Sequence, residues 1–436
     1  GIFTLYWIGF YPLLSKSKSL RMGNARASLV IVLFAKVVFG VVGTNYLPIL
    51  GSSTASSIIV VDLNVGGKPQ QKFVGRDDDP FTAAKNICSQ LYCKPKFQNI
   101  LEQHIFDKQQ SSRASASLPT LVKDLETASF EVDELENSTF WAEQLLSLQG
   151  CLRNFPMQFL KCEVIQFLMF MGNHELAKSE FSWLADNVSS KWLDLALAES
   201  FVGTPNLMTI GKSEANALQY ETSSNLLHHV YSLARFTTAT QLNINRMEII
   251  VEFGGGYGSF ARLAFQAGFN GKYVIHDLNP FSILQKHYLF SVGVPVRELE
   301  DWDKYTNGVW FTSSLRDFES LKLNSPGVQK NKNTMLVGMF SLSEVSVELR
   351  EKFFSLGPAS FHNYLFLVQP SWRENTVALN LEWFSKFMLV ERGDLSWHTW
   401  ADYGTNDDRF ICGSWNRAGA VQTYPQFYPG EKMPER

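Results

Sequence analysis

Apolar positions follow one spacing up to about residue 198 and another beyond it. Between 121 and 198 they recur every three or four residues. Leu145, Leu148, Leu152 and Phe155 form one such series, and Phe159, Val164, Phe167 and Leu168 another. That period is helical. From 199 onward, short continuous apolar runs alternate with helical stripes. This is the pattern of an α/β domain with a mainly parallel sheet. It predicts strands at 248–253, 273–276, 335–339, 364–368, 387–391 and 409–413. Helices are predicted at 259–266, 280–292, 345–354 and 375–386.

The segment before 121 reads differently. Residues 57–65 are β-branched and strand-like, Gly66-Gly67-Lys68 signals a hairpin turn, and 70–74 return as a second strand. Asp79 and Pro80 then suit the cap and first turn of a helix. Phe81, Ala84, Ile87, Cys88 and Leu91 give that helix its apolar stripe. A hairpin followed by a packed helix resembles the opening of a ubiquitin-like fold, so 57–106 is expected to be a small ubiquitin-like α+β module. Residues 107–120 are polar and small, as in a flexible linker. The helical region 121–198 is expected to form a cap and to offer an oligomer contact, and 199–436 forms the α/β domain.

Residues 1–56 read as a signal or signal-anchor segment and spacer. Met22 is a candidate start, Arg26 lies in a short basic region, and an apolar run covers 29–47. Lys36 interrupts that run, which disfavours a stable transmembrane span. Myristoylation is excluded by Ala27, where Ser or Thr is needed. The expectation is a secretory route, in the endoplasmic reticulum or Golgi lumen or outside the cell, with a membrane anchor through this segment. A buried amphipathic segment in a cytoplasmic protein is the alternative. The triplets Asn137-Ser138-Thr139 and Asn187-Val188-Ser189 fit the secretory route as glycosylation sites.

Composition narrows the choice. Hydrophobic residues make up 45 % and charged residues 19 %, as in a folded globular chain. With 39 Lys and Arg against 42 Asp and Glu, the formal net charge is −3. No basic excess argues for nucleic acid as a partner. Aromatic residues reach 14 %, enough for a large core and for a carbohydrate-binding cleft. The five cysteines, Cys88, Cys93, Cys151, Cys162 and Cys412, contain no CxxC pair and no zinc-ligand spacing, so no metal is expected. Cys88 and Cys93 are near enough in sequence to bridge. Buried unpaired thiols are the other reading.

The chemistry concentrates after the strand at 248–253. It runs into Gly254-Gly255-Gly256-Tyr257-Gly258, and a helix follows with Phe260, Leu263, Ala264 and Ala267 on one face. Glycine admits positive φ and lets a ligand approach the backbone. The helix N-terminus adds unpaired amides. The next strand ends in Asp277, followed by Leu278. In a doubly wound sheet that carboxylate lies beside the glycine loop, where it can accept both hydroxyls of a ribose. A dinucleotide fingerprint counted from Gly254 would need glycine where Ser259 stands. The spacing present is acid-x-G-x-G-x-G, from Glu252, Gly254, Gly256 and Gly258. This is the pattern of class I methyltransferases that use S-adenosylmethionine. Glu252 would meet the methionyl amine, and Gly255 and Leu278 complete the loop and strand end. Asp317, near the expected end of the third strand, would meet the adenine amine.

A closer resemblance rests on three stretches. Val251-Glu252-Phe253-Gly254-Gly255-Gly256-Tyr257-Gly258, His276-Asp277-Leu278-Asn279-Pro280 and Leu284-Gln285-Lys286-His287-Tyr288-Leu289 resemble the E-x-G-G-G-Y-G, D-L-P and Q-x-x-Y-L elements of a sugar O-methyltransferase family. Met339-Phe340-Ser341-Leu342-Ser343-Glu344 is similar to its S-x-S-E-M element, and Glu199-Ser200-Phe201-Val202-Gly203-Thr204-Pro205 to its G-N-P element. The resemblance covers residues 199–415. Asn279 replaces the usual Pro, and Val345 stands where Met is common. The resemblance implies a Rossmann-like class I methyltransferase sheet with helices on both faces, S-adenosylmethionine as cofactor, and a sugar or glycan hydroxyl as acceptor. For the acceptor's proton, Glu344 and His398 are the candidate catalytic groups, with Trp397, Trp400 and Tyr403 available to stack on a sugar. His276 is expected to pack near the cofactor. Two alternatives remain: an NAD(P)-dependent oxidoreductase on the same half-site, and a non-catalytic methyltransferase-like binding protein.

Overall fold

The computed structural model describes residues 58–65, 68–91, 95–127, 139–169, 174–211, 219–369, 377–401 and 409–415. The signal candidate at 1–56, the turn glycines Gly66 and Gly67, Cys93, Asn137 and Tyr403 lie outside the described residues. Backbone contacts divide the chain into two units. One holds residues 60–73, and the other holds 56–59 with 74–436. Most of β1 (Ile58–Val65) and β2 (Lys68–Gly75), which pair as a two-stranded sheet, falls in the first. The Gln71 amide donates to Asp62 at 3.0 Å across it.

The second unit begins with helices. The Asp79 carboxylate accepts the Thr82 amide at 2.8 Å and so caps α1 (Pro80–Leu91). Helix α2 (Pro95–Thr127) then runs for 33 residues, straight through 107–120. The expected linker is therefore helix. Its buried stripe, Leu101, Ile105, Ala114, Leu121 and Leu125, is interrupted by two buried polar residues, Gln109 and Gln110. Gln109 donates to the carbonyls of Gly75 and Asp78, and Gln110 accepts the Ser200 hydroxyl. Hydrogen-bonded glutamines continue a core stripe that hydrophobicity alone cannot trace.

Helices α3 (Thr139–Asn154), α4 (Glu163–Met169), α5 (His174–Asn187) and α6 (Ser190–Ala196) form the expected helical region. A disulfide joins Cys151 in α3 to Cys162, the residue before α4. Cys88 is also disulfide-bonded. Only Cys412 is a buried free thiol among the described cysteines, so the expectation of unpaired thiols is corrected.

A short hairpin, β3 (Met208–Gly211) and β4 (Gln219–Thr222), leads into α7 (Ser224–Thr240), capped by the Ser223 hydroxyl. The alternating region follows: β5 (Ile249–Phe253), α8 (Ser259–Gln266), β6 (Lys272–His276), α9 (Asn279–Ser291), β7 (Gly308–Thr312), α10 (Leu315–Ser320) and α11 (Pro326–Gln329). It continues with β8 (Thr334–Met339), α12 (Ser341–Glu344), α13 (Val347–Ser355), β9 (Asn363–Val368), α14 (Val377–Lys386), β10 (Ser396–Ala401) and β11 (Arg409–Ser414).

The sheet order is β7-β6-β5-β8-β9-β11-β10. The first five of these strands are parallel, and β11 runs antiparallel to both neighbours. Successive strand residues feed opposite cores. Ile250, Tyr273, Ile275 and Val337 join the core under α7 and α8, while Val251, Phe253, Val274 and Leu336 join the core under α13 and α14. This is the Rossmann-like sheet with helices on both faces expected from the sequence. The chain adds strands to one side of β5 (β6, β7) and then crosses to the other (β8, β9), so the strand order reverses between β5 and β8, which places the ligand-binding crevice at their carboxyl ends.

One sequence expectation fails at the far edge. Residues 387–391 are not a strand but a π-helical turn continuing α14, with Phe387 and Met388 buried. A short apolar run does not by itself separate strand from buried helix. The strand in that position of the order is β10, at 396–401.

Candidate functional site

The glycine loop sits at the switch point. Gly254, Gly256 and Gly258 have φ of +71°, +58° and +94°. A Cβ on Gly254 would lie 2.3 Å from the Ser341 Cβ. One on Gly256 would come within 3.1 Å of the Met169 side chain, which packs over the loop from the end of α4. The Ser341 hydroxyl in turn donates to the Phe253 carbonyl. Ser341 reaches this position because Phe340, the turn residue after β8, takes φ +66° and ψ −42°. A bulky residue in that region is strained, and such strain concentrates at functional sites.

Asp277 lies beside the loop, as its spacing predicted. Its carboxylate accepts the amides of Leu278 at 2.8 Å and Gly256 at 3.1 Å. The Gln285 side chain donates both to this carboxylate, at 2.7 Å, and to the Gly256 carbonyl, at 2.8 Å. The strand end, the loop and helix α9 are thereby tied together. Leu278 caps α9.

Glu252 is 2 % exposed and accepts the Tyr273 hydroxyl at 2.8 Å. Burial pushes its carboxyl up to about 8 and the charge of Asp277 adds to the rise, while the Tyr273 hydrogen bond opposes it. A carboxyl group held neutral in a cavity wall is primed to ionise when a cation arrives.

That cavity is walled by Glu252, glycines 254 to 256, Met339, Phe340 and residues of α7, among others. Helix α7 contributes Asn225, His228 and His229. Asn225 donates to the Tyr257 hydroxyl at 3.1 Å. His228 pairs through Nδ1 with the buried Glu180 of α5 at 2.5 Å. Its ring stacks on Phe340, with planes 7° apart and centroids 6.1 Å apart. His229 is held down to about 3 by burial and by His228, and its Nδ1 is buried with no hydrogen-bond partner among the described residues.

These α7 residues were not singled out in the sequence. Helical spacing reads Leu226, Leu227, Val230 and Tyr231 as core, and the two histidines between them carry no local motif. Glu180 lies 48 residues upstream of His228, so only the fold joins them.

The other expected site residues are spread along the sheet's carboxyl edge. Asp317 is half-buried in the first turn of α10, where its amide donates to the Ser314 hydroxyl at 3.1 Å. Glu344 closes α12, one turn beyond Phe340. His398 is half-buried on the edge strand β10, and burial holds it below the ordinary histidine value. It shares one register row with Glu252, through Cys412, Leu365 and Val337. Four strand spacings separate the two, about 19 Å. Asp277 and Leu278, beside the loop, and Asp317, Glu344 and His398 are not among the described residues that wall the cavity. Trp397 packs on Tyr364 and donates to the Arg392 carbonyl, and Trp400 stacks on Phe410 beneath the Arg235 guanidinium. His276 stacks on Phe353 with Nδ1 3.0 Å from the Thr312 hydroxyl, in the core behind the loop. Among the described residues no group of His, Cys, Asp and Glu is arranged to hold a metal ion, and no helix is long and apolar enough to cross a membrane.

No known protein family matches the chain, and no curated protein does. Solved structures resemble it distantly. Magnesium protoporphyrin IX methyltransferase from Synechocystis PCC 6803, with bound S-adenosylhomocysteine, is 14 % identical over 43 % of this chain and 83 % of its own, at a TM-score of 0.29. The O-methyltransferase TomG from Streptomyces achromogenes, in complex with S-adenosylmethionine, is 12 % identical over 57 % and 93 %, at 0.29. An O-methyltransferase from Bacillus cereus, in complex with S-adenosylhomocysteine, is 7 % identical over 57 % and 94 %, also at 0.29. At such distances the likeness decides nothing about this chain's activity.

Proposed function

We propose that this chain is an S-adenosylmethionine-dependent methyltransferase acting on a hydroxyl group of a sugar or glycan. One observation carries the reading: two carboxyl groups, of Glu252 and Asp277, flank a positive-φ glycine loop at the switch point, at the ends of adjacent parallel strands. The residues present fit that cofactor. Glu252 faces the cavity where a methionyl amine would ionise it. Asp277 stands where a ribose diol would replace its bond to Gly256. The glycine backbone leaves room between them, and Ser259 fills the position where a dinucleotide fingerprint requires glycine. When bound, the cofactor supplies a methyl group activated by a sulfonium. The protein's part is to bind it, exclude water and align the acceptor oxygen.

The sugar acceptor rests on the motif resemblance of residues 199–415 and the aromatic-rich carboxyl edge. A secretory location is supported by the Cys151–Cys162 bridge and the bonded Cys88, since disulfides persist in oxidising compartments. The membrane anchor proposed for 1–56 rests on sequence pattern alone.

Calorimetry with S-adenosylmethionine, S-adenosylhomocysteine, NAD and NADP tests the cofactor. Binding of the first two and not the dinucleotides is expected, and the reverse would overturn the reading. Transfer of radiolabelled methyl to a panel of glycosides, compared with phenolic and carboxylic acceptors, tests the substrate class.

A further inference from the structure

We infer that His228, positioned by Glu180, is the base that takes the proton from the acceptor hydroxyl. The inference rests on the methyltransferase reading above and names a catalytic pair that reading does not contain.

Three observations converge on the pair. First, His228 is part of the cavity wall that also contains Glu252 and the glycine loop, so its ring borders the space a methyl donor would enter. Second, its Nδ1 lies 2.5 Å from a Glu180 carboxylate oxygen, with both side chains buried. An acceptor-only carboxylate at Nδ1 fixes the tautomer: the proton sits on Nδ1, and Nε2 is the basic nitrogen. Third, the ring's tilt is set by stacking on Phe340, whose strained turn also places Ser341 against Gly254. The base and the loop are therefore held by the same turn. A carboxylate–imidazole pair in the wall of a reaction space is an arrangement that activates hydroxyls in general acid–base catalysis.

The step balances without a further reactant. The acceptor oxygen forms a bond to the methyl carbon as that carbon's bond to the donor sulfur breaks, with its electron pair remaining on sulfur. The hydroxyl proton passes to His228 Nε2. The resulting imidazolium is stabilised by Glu180, a buried counter-charge in direct contact. The other titratable groups facing the ring are His229, one residue along α7, and Glu252 across the cavity. Among the described residues, Phe340 and Phe410 also pack against the ring. Burial keeps His229 neutral, so it does not compete for the carboxylate.

The test uses the whole protein labelled with ¹³C-histidine. Its eight histidine signals are sorted by loss of one in His228→Gln. His228 is titrated in the S-adenosylmethionine complex and in the S-adenosylhomocysteine complex, which differ by one positive charge at sulfur. If Nε2 faces the methyl group, His228 titrates at lower pH in the first complex than in the second. Glu180→Gln should move the titration lower in both, because the carboxylate favours the charged ring. On any glycoside that accepts methyl, His228→Gln should lower kcat by about 10²–10⁴-fold while donor affinity stays within about threefold. Identical titrations in the two complexes, or wild-type turnover by His228→Gln, would overturn the assignment and leave the cofactor reading standing. If the wild-type protein binds neither ligand, the cofactor reading falls, and this inference falls with it.

Discussion

Ser341 occupies the space that a side chain on Gly254 would fill, so the end of β5 and the turn after β8 interlock without clearance. This contact joins the two strands that border the switch point. It also explains why two distant motifs, the glycine loop and the Ser341-Leu342-Ser343-Glu344 stretch, occur in one chain. Gly254→Ala is expected to displace Ser341 and to impose positive φ on an alanine. We expect a loss of about 1–3 kcal/mol in stability from the strained backbone alone, with the overlap adding to it. Donor binding should fall below detection even where the variant stays folded. Chemical denaturation followed by calorimetry measures both, and wild-type values in each would refute the interlock.

Asp277 exchanges partners in the proposed complex, giving up Gly256 for a ribose diol. Asp277→Ala should therefore weaken S-adenosylmethionine by about 1–3 kcal/mol. Asp277→Asn keeps a hydrogen-bonding side chain and should lose less. Equal affinity across all three proteins would exclude the ribose contact.

The loop, its flanking strands and Asp277 were legible in sequence because they are local. A strand, a turn and a helix start lie within thirty residues, and glycine is required there by backbone geometry rather than by context. The helices at 107–120 and the π turn at 387–391 were not legible. In the first, Gln109 and Gln110 are core residues only because Gly75, Asp78 and Ser200 meet them. In the second, a strand-like composition is overruled by continuity with α14. The pairing of His228 with Glu180 was hidden for the same reason, since each looks like an ordinary helix position until α5 packs on α7. The Cys151–Cys162 bridge spans a kinked 3-10 segment, Pro156–Lys161, that spacing alone does not foresee.

That bridge closes a short loop between α3 and α4, and α4 carries Met169 over the glycine loop. Cys151→Ser with Cys162→Ser, which spares the bonded Cys88 that reduction would also open, should lower stability by about 2–4 kcal/mol. If α4 is held over the site by the bridge, protease cleavage after Lys161 should quicken on reduction and slow again when S-adenosylmethionine is added. Cleavage indifferent to both would show that the bridge does not restrain the site's cover.

Glu252 gives the pH dependence its sign. Its folded carboxyl lies near 8 against an ordinary value of 4.5, so without ligand it stays protonated at neutral pH. An unfolded chain ionises it above about 4.5. The folded state binds the extra proton between these values, and the ligand-free protein therefore loses stability as pH rises from about 4.5 to about 8. A bound methionyl ammonium reverses the preference by favouring the carboxylate. From pH 6 to pH 8, affinity for S-adenosylmethionine should climb, approaching a tenfold gain per pH unit at the acid end, with up to one proton released to buffer on binding. Above about 8 the ligand's own amine begins to lose its charge, and affinity should fall. Calorimetry in buffers of different ionisation enthalpy counts the proton directly. Glu252→Gln should flatten the acid limb and abolish the release. If the wild-type profile is already flat there, Glu252 does not meet a cation, and the amine must be sought on another wall of the cavity.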